Sequence, residues 1–189
     1  MRIRSATTQD AARLLAIYTY YVEKTAISFE CEVPSLAEFT GRIAKTLLKY
    51  PYLVVEEDGV VEGYAYAGPF KERAAYDCSC ELSIYLARDA KGRGYGRKLY
   101  EAMEAALKDM GIMNMYACIA DPITEDEYLT KNSEQFHRHL GFVKVGEFHK
   151  CACKFGRWYN MIWMEKMLGD HGSFVPAVIP FPDLGNTGG

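Results

Sequence analysis

The chain has 189 residues, 49% of them hydrophobic and 25% charged, with a formal net charge of −3. That length fills one domain with a sizeable core, in the balance of an ordinary soluble globular protein, and the mild acidity argues against a general nucleic-acid binder. No apolar run reaches membrane-spanning length and none follows Met1 as a signal-peptide core, so the expected address is the cytoplasm, with no membrane partner.

Ile3–Ser5 reads as a short opening strand. After Thr7, Leu14, Leu15, Ile17, Tyr18, Tyr21 and Val22 recur with the spacing of an amphipathic helix. Ser35-Leu36-Ala37-Glu38 is a capping-box sequence, followed by Phe39, Ile43 and Leu47 on one helical face. Strands are predicted at Tyr52–Glu56 and Val60–Ala67, joined by the turn signal Glu57-Asp58-Gly59.

Asp77–Leu86 alternates, with Cys78, Cys80, Leu82, Ile84 and Leu86 on one face and Asp77, Ser79, Glu81, Ser83 and Tyr85 on a polar one. A helix carrying Leu99, Met103, Leu107 and Met110 ends at Gly111. Met113–Ala120 is a further strand and Asp121–Lys131 an acidic loop. Asn132 or Ser133 is placed to cap a short helix with Phe136 and Leu140, before two last strands near Phe142–Cys151 and Trp158–Met167. Residues 1–168 form one α+β domain with a mostly antiparallel mixed sheet flanked by helices. The tail at 169–189 is either irregular or strapped to the surface by Phe174, Val178, Ile179 and Phe181.

Between the alternating strand and the next helix stands Lys91-Gly92-Arg93-Gly94-Tyr95-Gly96-Arg97. Glycines let backbone approach a ligand closely. A helix starting there aims unpaired N–H groups and a positive dipole end at it, and Lys91, Arg93 and Arg97 add charge. That is a pyrophosphate cradle. A phosphate loop ending Gly-Lys-Ser/Thr is not formed by Arg97-Lys98-Leu99, and neither glycine pair meets the spacing of a dinucleotide fingerprint.

Six cysteines include Cys78-x-Cys80 and Cys151-x-Cys153, near His149. The CxC spacing in strand-like segments places each pair on one face as small apolar side chains, so no metal is expected, and no disulfide in a reducing compartment.

The strand, Lys91-Gly92-Arg93-Gly94-Tyr95-Gly96 turn and helix resemble the acyl-CoA motif of the GNAT superfamily of N-acetyltransferases, with Lys91 where Gln or Arg is usual. Asn132 to Phe142 resembles the second signature of that superfamily, with His137 at a position often held by tyrosine. Three further segments resemble its phosphinothricin and methionine sulfone or sulfoximine branch: Ala65–Tyr76, Glu81–Leu86 and Lys154–Tyr159. The acidic stretch 124–128 and the tail depart from it.

The resemblance implies a GNAT fold and transfer of acetyl from acetyl-CoA to the primary amine of a small amino acid analogue, by direct attack in a ternary complex. It implies the loop, with Tyr95, as the pyrophosphate site, and backbone of Ile84, Tyr85 and Leu86, with Asn132, as contacts to the pantetheine arm. Glu81 is then the general base, which needs only a carboxylate within one water's reach of the amine. His137 stands as proton donor to the leaving thiolate or as a structural histidine. Arg73, beside Tyr76, is the candidate grip on an acceptor carboxylate, and Phe29 lies in the loop bordering the acceptor site. A homodimer is implied as well. A peptide N-terminus or polyamine as acceptor, and an acyl-CoA-binding module without turnover, are the alternatives.

Overall fold

In the computed structural model, residues 1–90 and 92–186 are described, the last two of them by backbone alone; Lys91 lies outside the described residues. The elements in order are β1 (Arg2–Ser5), α1 (Ala11–Lys24), α2 (Leu36–Leu47), β2 (Tyr52–Glu57), β3 (Val60–Pro69), β4 (Ser79–Leu86), α3 (Tyr95–Asp109), β5 (Asn114–Asp121), α4 (Asn132–His139), β6 (Val143–Lys154) and β7 (Arg157–Met167). They build a seven-stranded sheet in the order β1-β2-β3-β4-β5-β7-β6. Every pairing is antiparallel except β4 with β5.

Both faces of the sheet are covered, which explains why Tyr52, Leu53, Val54 and Val55 of β2 are all buried. Leu53 and Val55 join Leu82, Met115 and Met164 against Leu99, Met103 and Leu107 of α3. Tyr52 and Val54 join Tyr64 against Leu14, Ile17 and Tyr18 of α1 and Phe39 and Ile43 of α2. The expected polar face of β4 is therefore not a solvent face. Tyr85 sits edge-on to Tyr18 and Tyr21, with ring centroids 4.9 and 5.0 Å away.

α2 begins as its sequence predicts, with the Ser35 hydroxyl accepting the Glu38 N–H at 3.2 Å. α4 does not. Lys131 occupies its N-cap position without a side-chain cap, and Asn132 is its exposed first residue. The cysteine pairs are corrected too. Cys78 precedes β4 and is half-buried, while Cys151 and Cys153 are exposed on β6 and bury no apolar face; all six thiols are free.

β4 and β5 share only three rungs, ending at Glu81↔Tyr116. Beyond that point β4 follows β3, paired with it as far as Gly63↔Leu86, and β5 follows β7 over eight rungs. The Tyr21 hydroxyl reinforces the divergence by donating to Leu86 C=O at 2.7 Å and accepting Leu86 N–H at 3.2 Å. The sheet opens into a wedge at its centre.

After β7 the chain returns across the α3 side. Ile179 N–H bonds Met110 C=O at 2.9 Å, Phe181 N–H bonds Lys49 C=O at 2.9 Å, and Val178, Phe181 and Leu184 pack on the core. Phe174, expected in this strap, is exposed instead. No helix among the described residues is long and apolar enough to cross a membrane.

Candidate active site

The glycine loop enters α3 through Gly94, which holds the N-cap position at φ +80° with no side-chain cap. A left-handed residue there lets β4 turn sharply into the helix. Lys98 N–H makes the first intrahelical bond, to Gly94 C=O at 3.2 Å, so the N–H groups ahead of it point out of the helix end, where an anion is stabilised. Gly96 serves a different purpose. A Cβ there would lie 3.1 Å from the Phe136 ring and 3.6 Å from Ile84, so its bareness lets α3 approach α4 and β4.

The charges of the loop divide. Arg97 is exposed. Arg93 donates to the Glu57 carboxylate at 2.5 Å and lies 5.0 Å from the centroid of the Tyr95 ring. The buried Tyr95 also donates to Glu57. Arg93 and Tyr95 thus tie the loop to the end of β2, a contact that spacing alone did not suggest.

The wedge between β4 and β5 holds a cavity of about 50 Å³. Leu82, Ser83, Ile84 and Tyr85 form one wall, Ala117 to Ala120 the other, and Tyr100, Ser133 and His137 reach in from the helices. Ile84 and Tyr85 thus both line the wedge. Leu86 does not line the cavity, and its two backbone groups are taken by Tyr21.

His137 is buried, and its Nδ1 lies 2.7 Å from Ser133 C=O while Nε2 lies 2.7 Å from the Tyr100 hydroxyl. A carbonyl only accepts, so Nδ1 carries the proton and Nε2 takes Tyr100's. Burial pushes the His137 pKa down to about 4. The ring is neutral near pH 7, with its one proton committed to backbone, an arrangement that suits the structural alternative. It locks α4 to α3 at the mouth of the wedge. Tyr100, which no sequence pattern singles out, completes that lock.

Glu81 sits at the last β4–β5 rung, half-buried, and its carboxylate makes no hydrogen bond or ion pair among the described residues. Burial raises its pKa above the usual range and the nearby Lys71 charge opposes that rise. The Lys71 ammonium lies 4.9 Å from the Phe70 centroid and 5.5 Å from that of Trp163. Phe70 in turn stacks on Tyr116, Glu81's partner across the ladder, at 4.2 Å. Cys118 lines the wedge, its thiol pushed up to about 12 by desolvation and then by the Glu81 charge. It is no ready nucleophile.

Arg73 and Tyr76 are exposed on the turn between β3 and β4, and Tyr76 meets Phe70 edge-on at 5.8 Å. Arg73 is not brought to Glu81; the cation acting on that carboxylate is Lys71, two residues earlier. Phe29 is half-buried against Tyr159 at 6.4 Å, beside Ala26, Ala120 and Leu129. Its loop is pinned by Lys154, a buried lysine whose Nζ donates to Ser28 C=O at 2.6 Å. No group of three or more His, Cys, Asp or Glu side chains suited to a metal ion occurs among the described residues.

Residues 3–163 match the acetyltransferase (GNAT) domain. The chain is 33% identical to a phosphinothricin N-acetyltransferase of Alcaligenes faecalis over 175 residues, 92% of this chain and 86% of that one. It is 32% identical to an L-methionine sulfoximine/L-methionine sulfone acetyltransferase of Salmonella typhimurium, over 92% of this chain and 98% of that one. The crystal structure of a GNAT superfamily phosphinothricin acetyltransferase from Sinorhizobium meliloti in complex with acetyl-CoA superposes with a TM-score of 0.85 at 32% identity, covering 96% of each chain.

Proposed function

The chain belongs to the GNAT acetyltransferase family, and from that premise we propose that it is an N-acetyltransferase that moves an acetyl group from acetyl-CoA to the primary amine of an amino acid analogue. The observation that carries the reading is the position of Glu81. It is a half-buried carboxylate with no partner among the described residues, at the rung where β4 and β5 part. The base and the donor cleft are thereby adjacent.

In this reading the N-terminal turn of α3 receives the pyrophosphate of acetyl-CoA, with Gly92, Gly94 and the exposed Arg97 around it. Lys91 and Asn132 are retained as contacts on the resemblance alone. Ile84 offers edge backbone to the pantetheine arm in the wedge, beside Tyr85, and a backbone N–H there polarises the thioester carbonyl. Such a donor has an effect of about 2.7–4 kcal/mol where one has been removed from other enzymes.

Glu81 takes a proton from the substrate ammonium, directly or through one water. The freed lone pair attacks the thioester carbon, and the C–S bond breaks as the tetrahedral adduct collapses. A pKa raised by burial makes Glu81 a stronger base than an exposed glutamate. His137 holds α4 in place in this scheme and donates no proton; the adduct's nitrogen releases its second proton to solvent, and the CoA thiolate takes its proton from solvent.

A homodimer is part of the proposal. It is supported by exposed Val143, Val145 and Phe148 on the edge strand β6 and by exposed Trp158 on β7, apolar side chains at or near the unpaired edge of the sheet. Six free thiols suit the reducing cytoplasm. Thiol release from acetyl-CoA in the presence of methionine sulfone, methionine sulfoximine or phosphinothricin tests the activity. Silence with all three and with other amines, while acetyl-CoA still binds, would leave a binding module.

A further inference from the structure

A second, larger cavity of about 540 Å³ opens on the α1–α2 side of the sheet, between α2 and β2–β3. Seven of its fifteen lining residues are aromatic, and Arg42, Lys45 and Lys49 are among the others. Tyr52, Tyr64 and Tyr66 stack with interplanar angles of 16 to 24°, and Phe39 and Tyr85 close the sides. Tyr85 also lines the donor wedge, so the two cavities share a lining residue.

The register connects this cavity to Glu81. Gly68 faces Glu81 directly across the β3–β4 ladder, Tyr66 faces Ser83 and Tyr64 faces Tyr85. Side chains alternate along a strand, so Tyr64, Tyr66, Gly68 and Glu81 share one face. A Cβ built on Gly68 meets nothing within 4 Å, and Gly68 lines the cavity. With no side chain at Gly68, the strand surface between the cavity and its cross-strand partner Glu81 is left bare.

The far end of the cavity carries an unanswered polar group. The Tyr64 hydroxyl is buried and has no hydrogen-bond partner, alone in this among buried side-chain atoms of the described residues. An orphaned buried donor is costly, and a ligand atom that pairs with it removes that cost. Four residues of β3 separate Tyr64 from Gly68, about 13 Å of strand. A short side chain with its amine at Glu81 leaves that end empty.

We propose, resting on the acetyltransferase reading, that this cavity receives the acceptor's side chain and that the acceptor is an α-amino acid with a hydroxylated aromatic side chain. The ring lies among the stacked tyrosines, its hydroxyl pairs with Tyr64, and its amine reaches past Gly68 to Glu81.

The test compares kcat/KM for L-tyrosine, L-phenylalanine and methionine sulfone in thiol release from acetyl-CoA by the full chain. L-Tyrosine is expected to exceed both others by at least about tenfold. Tyr64→Phe removes its advantage over L-phenylalanine. Gly68→Val, whose branched side chain covers that bare surface, lowers the ratio of L-tyrosine to methionine sulfone turnover by at least about tenfold. Gly68→Ala, which meets no neighbour, controls for folding.

Methionine sulfone used as well as or better than both aromatic acceptors would overturn the proposal, as would a ratio unmoved by Gly68→Val. Calorimetric binding of L-tyrosine to the acetyl-CoA-loaded protein separates the two readings. Binding lost in Gly68→Val, without turnover of any amine, keeps the cavity's ligand and discards acetyl transfer. Absence of both binding and turnover discards the two together.

Discussion

Glu81 and Tyr116 form the last rung of the β4–β5 ladder, and the central strands part immediately beyond them. A carboxylate thus stands at the apex of the wedge whose walls carry Ile84, Tyr85 and Cys118. One topological event, the divergence of a single parallel pair, supplies both the donor cleft and a partly desolvated base next to it.

The pH dependence of turnover follows from the two influences on Glu81. The carboxylate must be ionised to accept a proton, so kcat/KM falls as pH drops through its pKa, which burial has raised above the ordinary value and Lys71 holds down. Lys71→Met removes the lowering charge. The acid limb of the kcat/KM profile moves to higher pH in that variant, and an unmoved limb would separate Lys71 from the base.

His137 makes stability depend on pH in a stated window. Its folded pKa is about 4 against an ordinary 6.5. Above pH 6.5 both states are neutral there; as pH falls from 6.5 towards 4 the unfolded chain binds a proton that the folded one refuses. Stability is lost on acidification, by about 2 kcal/mol between pH 7 and 5 from this group. His137→Gln retains a hydrogen-bonding side chain and lacks this titration, so denaturant unfolding at the two pH values shows a correspondingly smaller loss.

Gly111→Ala tests the tail. Gly111 has φ +83° and its Cβ position lies 2.6 Å from Ala177 C=O. The left-handed backbone alone costs a non-glycine residue about 1–2 kcal/mol, and the clash displaces residues near Ala177. Reduced stability in urea together with faster proteolysis of the tail is expected; unchanged proteolysis would mean that the strap does not depend on this close approach.

Gly96→Ala drives a methyl to 3.1 Å from the Phe136 ring, which pushes α3 and α4 apart. Overpacking of this kind costs about 1–3 kcal/mol. Weaker acetyl-CoA binding accompanies it, because α3's first turn and the α4 side of the wedge move together. Calorimetry on the variant reads that directly.

The sequence made the framework of this protein readable and the contacts between its elements much less so. Apolar periodicity located α1, α2 and α3 within a few residues, and the Ser35 capping box marked the start of α2. The glycine loop stood out less by its glycines, since such turns are common between a strand and a helix, than by the family resemblance of the segments around it. Periodicity along one strand, however, does not say what covers its other face, so Tyr85 looked solvent-facing when α1 in fact packs over it. Arg73 was named for the acceptor carboxylate from its residue type, while the influence of Lys71 on Glu81 depends on turn geometry that the sequence does not show. The Tyr100–His137 bond joins residues 37 positions apart, and no local pattern announces such a pair. Tyr64 gave no signal either, since an orphaned hydroxyl exists only once its neighbours are in place.

The central claim is that Glu81 takes the proton from the amine. The most direct measurement is single-turnover acetyl transfer by Glu81→Gln beside its acetyl-CoA affinity. Removing a general base lowers the transfer rate about 10²- to 10⁴-fold, with acetyl-CoA binding unchanged and the residual rate no longer rising with pH through the Glu81 pKa. A Glu81→Gln protein that binds acetyl-CoA and transfers at the wild-type rate would contradict it.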